Sequence, residues 1–253
     1  MLFDSHVHTI HSCDADTTLA QAITAVSAKN IGLVITDHME LDFPIPPPDF
    51  RLDVPHFFAE CSPLRSDKLL LGIELGMTER SMAANNDLVQ AHEFDFVLGS
   101  VHVLHGREVD EDLYADMDEA AVYHEYLNKC AHLVLSADID ALGHIDYPLR
   151  STSRELLYAD YREDFNLLFD ALLARNILLE LNTSRLCDPV AYANLLDIYR
   201  AYKARGGLYV TLGSDSHEPH EIADNFHLAT ELLQAAGLIP VHFVRRQMVI
   251  DHP

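Results

Sequence analysis

Asp4-Ser5-His6-Val7-His8 follows the short apolar run Leu2–Phe3, and far downstream Asp215-Ser216-His217 follows the apolar run Leu208–Leu212. In a strand, side chains two residues apart point to the same face. His6 therefore projects with His8, and Asp215 with His217. Imidazole and carboxylate groups sharing one face are ligands for a divalent metal. The arrangement recurs at the end of each strand-like run. Asp37 and His38 follow Leu33–Thr36, Glu74 follows Leu69–Ile73, and His102 follows Phe94–Gly99. His144 follows Ala141–Gly143, and Asn182 follows Ile177–Leu181.

Between these runs lie helix-like stretches at Thr18–Lys29, Pro55–Arg65, Glu79–His92, Asp118–Ser136, Tyr161–Arg175, Pro189–Arg205 and Pro219–Ala236. Asp188-Pro189 and Glu218-Pro219 read as helix starts, and Gly206-Gly207 and Gly237 as stops. A last strand, Val241–Ile250, ends the pattern, and Pro44–Pro48 reads as a stiff loop. No linker or charge block divides the chain, which predicts a single domain over residues 1–253. Strand–helix alternation argues for a parallel sheet with helices outside it. In an open doubly wound sheet only the strands beside the switch point come together. A β/α barrel gathers the carboxyl ends of all its strands on one face. Ligand-type residues at seven consecutive strand ends therefore predict a seven-stranded α/β barrel.

The eight side chains His6, His8, His38, Glu74, His102, His144, Asp215 and His217 are too many for one ion. They imply two or three cations, with a carboxylate such as Glu74 bridging a pair. Nitrogen-rich, thiol-free ligation suits zinc, manganese or iron better than magnesium or calcium. Such clusters generate hydroxide near neutral pH and clamp the oxygens of a phosphoryl group. The formal net charge of −23, with only four lysines, repels phosphate backbones and disfavours a nucleic-acid partner. No run of about 18 uncharged apolar residues predicts a membrane span, and no export signal is visible. Cys13, Cys61, Cys130 and Cys187 lack CxxC spacing, so the expectation is a cytoplasmic protein with reduced thiols.

Six motifs, spread in order along the chain, resemble the polymerase-and-histidinol-phosphatase (PHP) superfamily. They are Asp4-Ser5-His6-Val7-His8-Thr9, Thr36-Asp37-His38, Gly72-Ile73-Glu74, Gly99-Ser100-Val101-His102, Gly143-His144-Ile145-Asp146 and Gly213-Ser214-Asp215-Ser216-His217. Gly72-Ile73-Glu74-Leu75-Gly76 and Glu180-Leu181-Asn182-Thr183 narrow the resemblance to its histidinol-phosphate phosphatases. The resemblance implies a distorted seven-stranded TIM-like barrel with a trinuclear metal centre. One metal would take His6, His8, Glu74 and Asp215. A second would share Glu74 and take His102 and His144. The third would take His38, His217 and Asp14, where the family often has histidine, with Asp16 or His11 as substitutes. Asp4 would orient a ligand histidine.

The implied reaction is hydrolysis of a small phosphorylated substrate, histidinol phosphate, by metal-activated hydroxide attacking phosphorus in line. Glu74, Asp215 and His217 are the catalytic candidates, with His217, Asp215 or a water protonating the departing alkoxide. Arginine forks suit the non-bridging oxygens. Arg150 and Arg185 lie on the expected active face, as do Arg51 and Arg107. Asn182 and His105 are further candidates to touch substrate, and Glu40 and Asp42 are placed to meet its cationic groups. His11, His56, His92, His124, His132, His220, His227, His242 and His252 read as ordinary surface or core residues. A protein-tyrosine phosphatase, nucleotide phosphoesterase or exonuclease on the same scaffold would need the same metals. A metal-dependent amidohydrolase also has two histidines on its first strand, but Lys29, Lys68, Lys129 and Lys203 all fall in helices or turns rather than at a central strand end. A catalytically silent metal-binding protein would not need so complete a ligand set.

Overall fold

The computed structural model describes residues 1–44, 50–109 and 117–251. The proline-rich stretch beyond Pro44 and His252 lie outside them. The chain runs β1 (Phe3–Val7), α1 (Leu19–Lys29), β2 (Gly32–Ile35), β3 (His38–Met39), α2 (Val54–Cys61), β4 (Leu69–Gly76), α3 (Met82–Ala91) and β5 (Phe96–Ser100). A small hairpin, β6 (Val103–Leu104) with β7 (Arg107–Glu108), follows. Then come α4 (Glu119–Leu133), β8 (Ala141–Leu142), α5 (Arg162–Arg175), β9 (Leu178–Asn182), α6 (Pro189–Arg205) and β10 (Tyr209–Gly213). Helix α7 (Phe226–Ala236) and strands β11 (Ile239–Val244) and β12 (Gln247–Ile250) complete it.

One sheet runs in the order β1-β2-β4-β5-β8-β9-β10-β11-β12. Every pairing from β1 through β11 is parallel, and only β11–β12 is antiparallel. The free edge of β1 meets the segment leaving β10, where Asp215 N donates to His6 O at 2.8 Å and His8 N to Ser216 O at 2.9 Å. The alternation of strand residues explains the two cores. Leu33, Ile35, Leu71, Ile73 and Val97 face a large cluster shared with the helices. Val34, Leu70, Phe96 and Leu98 turn the other way and pack with Phe3, Ala141, Val241 and Phe243. By the same period of two, Glu74 projects with Leu70, and Glu180 and Asn182 with Leu178. This second face is thus apolar toward one end and polar toward the carboxyl ends.

Local signals set most helix ends. Thr18 and Gln21 form a capping box before α1. Asp188 caps α6, Pro189 takes its first position, and Gly206 ends it at φ +116. Two expectations fail. Glu218-Pro219 does not open a helix, and α7 begins only at Phe226. Glu221 Oε2 accepts from the backbone N–H groups of His217 and Glu218, and Ala223 N donates to Asp4 at 2.7 Å. Those bonds hold the segment in turns. Val241–Ile250 is not one strand either, but a hairpin with Arg245 and Arg246 at φ +49 and +62. Two consecutive positive φ values make the tight hairpin turn that asparagine and glycine usually fill. Here Asp95 stabilises it by accepting from Arg245 N at 2.9 Å and Arg246 N at 2.8 Å. Among the described residues no helix is long and apolar enough to cross a membrane.

Candidate metal centre

Glu74 stands inside β4 rather than beyond its end, fully buried, with its Cα in register with His38. Five imidazoles converge on its carboxylate. His6 Nε2 lies 3.3 Å from it, His8 Nε2 3.6 Å, His38 Nδ1 2.7 Å, His102 Nε2 3.4 Å and His144 Nε2 3.1 Å. Asp215 Oδ1 is 3.3 Å from both His6 Nε2 and His8 Nε2. Asp14 Oδ2 lies 3.4 Å from His38 Nε2 and 3.3 Å from His217 Nε2. All nine side chains expected at the centre are therefore together. Asp14, not Asp16 or His11, completes the group around His38 and His217. His11 turns away, with Nε2 3.6 Å from Glu60 on α2.

The ring nitrogens are oriented from behind. His6 Nδ1 meets Glu180 Oε1 at 2.7 Å, and His102 Nδ1 meets Glu40 Oε1 at 2.6 Å. Each carboxylate engages Nδ1 and leaves Nε2 turned toward Glu74, as outer partners of metal-bound imidazoles do. Glu180 Oε2 also accepts from His144 N at 2.8 Å. Asp4 does not orient a ligand ring. It accepts from Ser214 N, Ser214 Oγ and Ala223 N at 2.9, 2.6 and 2.7 Å, fixing the segment that carries Asp215. Asp37 does similar work for the loop after β1, accepting from Thr9 N, Thr9 Oγ1 and Ser12 Oγ. Asp215 itself holds φ +58, a left-handed conformation that aspartate tolerates better than most residues.

Packing leaves no slack at His6. A Cβ on Gly213 would stand 2.4 Å from His6 Cβ and 2.3 Å from Glu180 Oε1. Gly213→Ala is expected to lower unfolding stability by about 1–3 kcal/mol, as overpacking does, and urea denaturation measures it. Glu180→Gln removes the charge behind His6, and metal retention is expected to weaken roughly 10- to 100-fold. Competition with a chelator followed by metal analysis reads that change.

Charge in the cluster is tightly coupled. Burial opposes a proton on His6, but Asp215, Glu180 and Glu74 outweigh it and hold its pKa well above the ordinary value. For His102, burial is likewise outweighed by Glu40 and Glu74, which raise it to about 9. Burial and the neighbouring His38 push His8 down to about 3. Burial alone would raise Glu74, yet His6, His38 and His102 hold it well below the usual carboxylate range. Glu74 is thus a carboxylate facing His6, His38 and His102, which it helps to hold protonated, and His8, which is driven toward its neutral form.

A cavity of about 200 Å³ opens onto this cluster, lined by Asp14, His38, Glu40, Phe43, Phe50, His102, Glu108, His144, Tyr147, Arg150, Asp215 and His217. Arg150 is the arginine in its wall. Its Nη2 donates to Asp215 Oδ2 at 2.6 Å and to Asn182 Oδ1 at 3.4 Å, and its guanidinium lies 5.3 Å from the Tyr147 ring centre. Asn182 also donates to Asp215 at 3.3 Å, so it braces the wall. Glu40 also lines the cavity, whereas Arg185, Arg51, His105 and Asp42 are not among its lining residues. Arg185 is held between Asp146 and Glu155. Arg51 donates to the backbone carbonyls of Glu40 and Leu41. His105 pairs with Glu125, half exposed, and Asp42 is taken by Thr78 and Arg80. Sequence reading gave no role to Phe43, Phe50, Tyr147 or Glu108, which sit on loops and the β7 edge without a strand-end position to mark them.

Residues 4–184 match the family model described as PHP domain. The chain is 36% identical over 253 residues to a probable histidinol-phosphatase of Clostridium acetobutylicum, covering 98% of this chain and 99% of that protein. It is 29% identical to the histidinol-phosphatase of Lactococcus lactis over 92% of this chain and 91% of that one. The crystal structure of histidinol phosphate phosphatase from Lactococcus lactis subsp. lactis Il1403, complexed with zinc, L-histidinol and phosphate, superposes with a TM-score of 0.89 at 28% identity, covering 99% of each chain.

Proposed function

The chain belongs to the PHP domain family, and on that premise we propose that it is a metal-dependent phosphomonoesterase that converts L-histidinol phosphate and water to L-histidinol and phosphate. The observation that carries this reading is the ring of five histidines around Glu74 at the floor of a small cavity walled by Arg150. The likeness to a structure complexed with zinc, L-histidinol and phosphate supports the same substrate. We further propose that the bonds between β1 and the segment after β10 close the seven parallel strands β1, β2, β4, β5, β8, β9 and β10 into a distorted barrel, and that residues 1–253 form one domain.

The residues fit divalent cations. His6 Nε2, His8 Nε2, His38 Nδ1 and Glu74 Oε2 are buried atoms without a hydrogen-bond partner among the described residues. His38 Nδ1 approaches Glu74 to 2.7 Å yet off the hydrogen-bond direction. Buried polar atoms are nearly always satisfied, and cations at the centre of this ring would satisfy these. His6, His8, Glu74 and Asp215 would hold one ion, Glu74, His102 and His144 a second, and Asp14, His38 and His217 a third. Two or three ions of zinc, manganese or iron suit the nitrogen-rich set. When bound, such ions lower the pKa of water toward neutrality and offset charge on phosphoryl oxygens.

The protein's own groups do the rest. Arg150 makes its hydrogen bonds through Nη2, and among the described residues Nη1 and Nε make none, so they remain for a non-bridging phosphoryl oxygen. Asp215, bonded to Arg150 and Asn182, keeps that fork aimed. Asp215 and His217 line the same cavity; His6 and Arg150 keep Asp215 ionised, so His217 is the one of the two placed to pass a proton to the departing alkoxide. Glu40 and Glu108 place negative charge beside the rings of Phe43, Phe50 and Tyr147, a surface suited to the ammonium and imidazole of histidinol. We place the enzyme in the cytoplasm, where its four cysteines, none in a disulfide, would stay reduced.

Phosphate release from L-histidinol phosphate, phosphotyrosine and nucleoside monophosphates tests the assignment. A kcat/KM at least roughly 100-fold higher for L-histidinol phosphate is expected, because neither of the other two offers both an ammonium and an imidazole to the acidic, aromatic wall. Equal turnover of all three would replace this reading with a broad phosphoesterase.

A further inference from the structure

Away from the cavity, a second set of metal-type side chains gathers between the loop after β1 and helix α2. His56 and Glu60 stand four residues apart on α2, which puts them on one face of the helix. His11 reaches that face from the loop. Glu60 Oε2 lies 3.6 Å from His11 Nε2 and 3.6 Å from His56 Nε2, and one ligand atom from each of the three falls within 4.8 Å of the others. Two ligands on a tetrahedral zinc at ordinary bond lengths stand about 3.4 Å apart. The observed spacing is close to that without rearrangement.

We propose that His11, His56 and Glu60 form a separate divalent-cation site, of the class that takes zinc, distinct from the centre around Glu74. Two imidazoles and one carboxylate are a ligand set zinc accepts with water in the fourth position. The site is half prepared. The His11 side chain is only 7% exposed and packs edge-on against Phe57 at 5.5 Å, so its ring is already fixed. His56 and Glu60, 66% and 44% exposed, leave the approach open to solvent. Cys61 Sγ lies 3.8 Å from His11 Nε2 on the buried side, where desolvation pushes the thiol up to about 12. A cation held here would tie the loop that carries Asp14 to α2.

The test uses the full-length protein equilibrated with zinc at buffered free concentrations, with zinc per chain and phosphate release measured on the same samples. Wild type is expected to bind one more zinc per chain than His56→Ala or Glu60→Gln, with affinity for that ion falling roughly tenfold or more in each variant. Both variants are expected to keep the phosphatase activity of wild type, since neither residue lines the cavity. Zinc-edge anomalous diffraction is expected to place a peak between His11, His56 and Glu60. Equal zinc content in all three proteins, or no peak at that position, would overturn the site. Neither result bears on the centre around Glu74, whose failure would appear instead as absent phosphate release.

Discussion

Glu74→Gln is expected to lose phosphate release from L-histidinol phosphate almost completely and to emerge from purification with its central metals depleted. Glu74 lies within 3.6 Å of five histidines and supplies the carboxylate that two of the expected ions would share. Glutamine keeps the shape, so the fold should survive, but it removes the negative charge that holds cations among neutral imidazoles. Metal-assisted charge stabilisation contributes several kcal/mol to such reactions, so a loss of roughly 10³-fold or more in kcat is expected. Phosphate release and metal content measured together check both halves of the claim. A Glu74→Gln protein that keeps its metals and its rate would show that the ring is not the catalytic centre.

Arg150→Met is expected to separate chemistry from metal binding. The guanidinium sits in the cavity wall, bonded to Asp215 through one nitrogen only. Methionine keeps much of the stem against Tyr147 and removes the donors. If those donors meet the phosphoryl oxygens as charge develops, kcat should fall roughly 10²- to 10³-fold, the cost of losing one such donor. Metal content should stay at the wild-type level. A fall in KM-related binding alone, with kcat intact, would assign Arg150 to ground-state recognition instead. Arg185 offers the contrast. Both of its carboxylate partners, Asp146 and Glu155, are already engaged with it, so it has a structural task.

The same comparison shows what a sequence can disclose here. Side chains that must meet at one place come from strand ends, and strand ends are legible where a short apolar run gives way to a ligand-type residue. His6, His8, His38, Glu74, His102, His144, Asp215 and His217 were all marked this way. Asp14 was less distinct, since a loop residue has no period to place it. The supporting carboxylates Glu180 and Glu40 were harder still. Glu180 is one strand residue among polar and apolar neighbours, and only the pairing of β9 with β10 brings it under His6. Metal-bound imidazoles need an outer partner, which makes Asp4 a candidate for that role, yet the β1 backbone sends it toward Ser214. Substrate-binding arginines carry no such signal. Long side chains on loops find partners through tertiary packing, and Arg150 and Arg185 differ only in which carboxylates reach them. The closing hairpin was hidden because Arg245-Arg246 carries no turn residue, and its stability comes from Asp95, far away in the chain.

Cations held around Glu74 are expected to carry out the phosphoester hydrolysis, and reloading a chelated sample with metal measures that dependence. Phosphate release from L-histidinol phosphate would be followed as zinc or manganese is returned stepwise to metal-free protein, with metal per chain determined at each step. The expected result is negligible release from the metal-free protein and a rise that tracks occupancy until more than one ion per chain is bound. Full turnover by protein free of metal would contradict it.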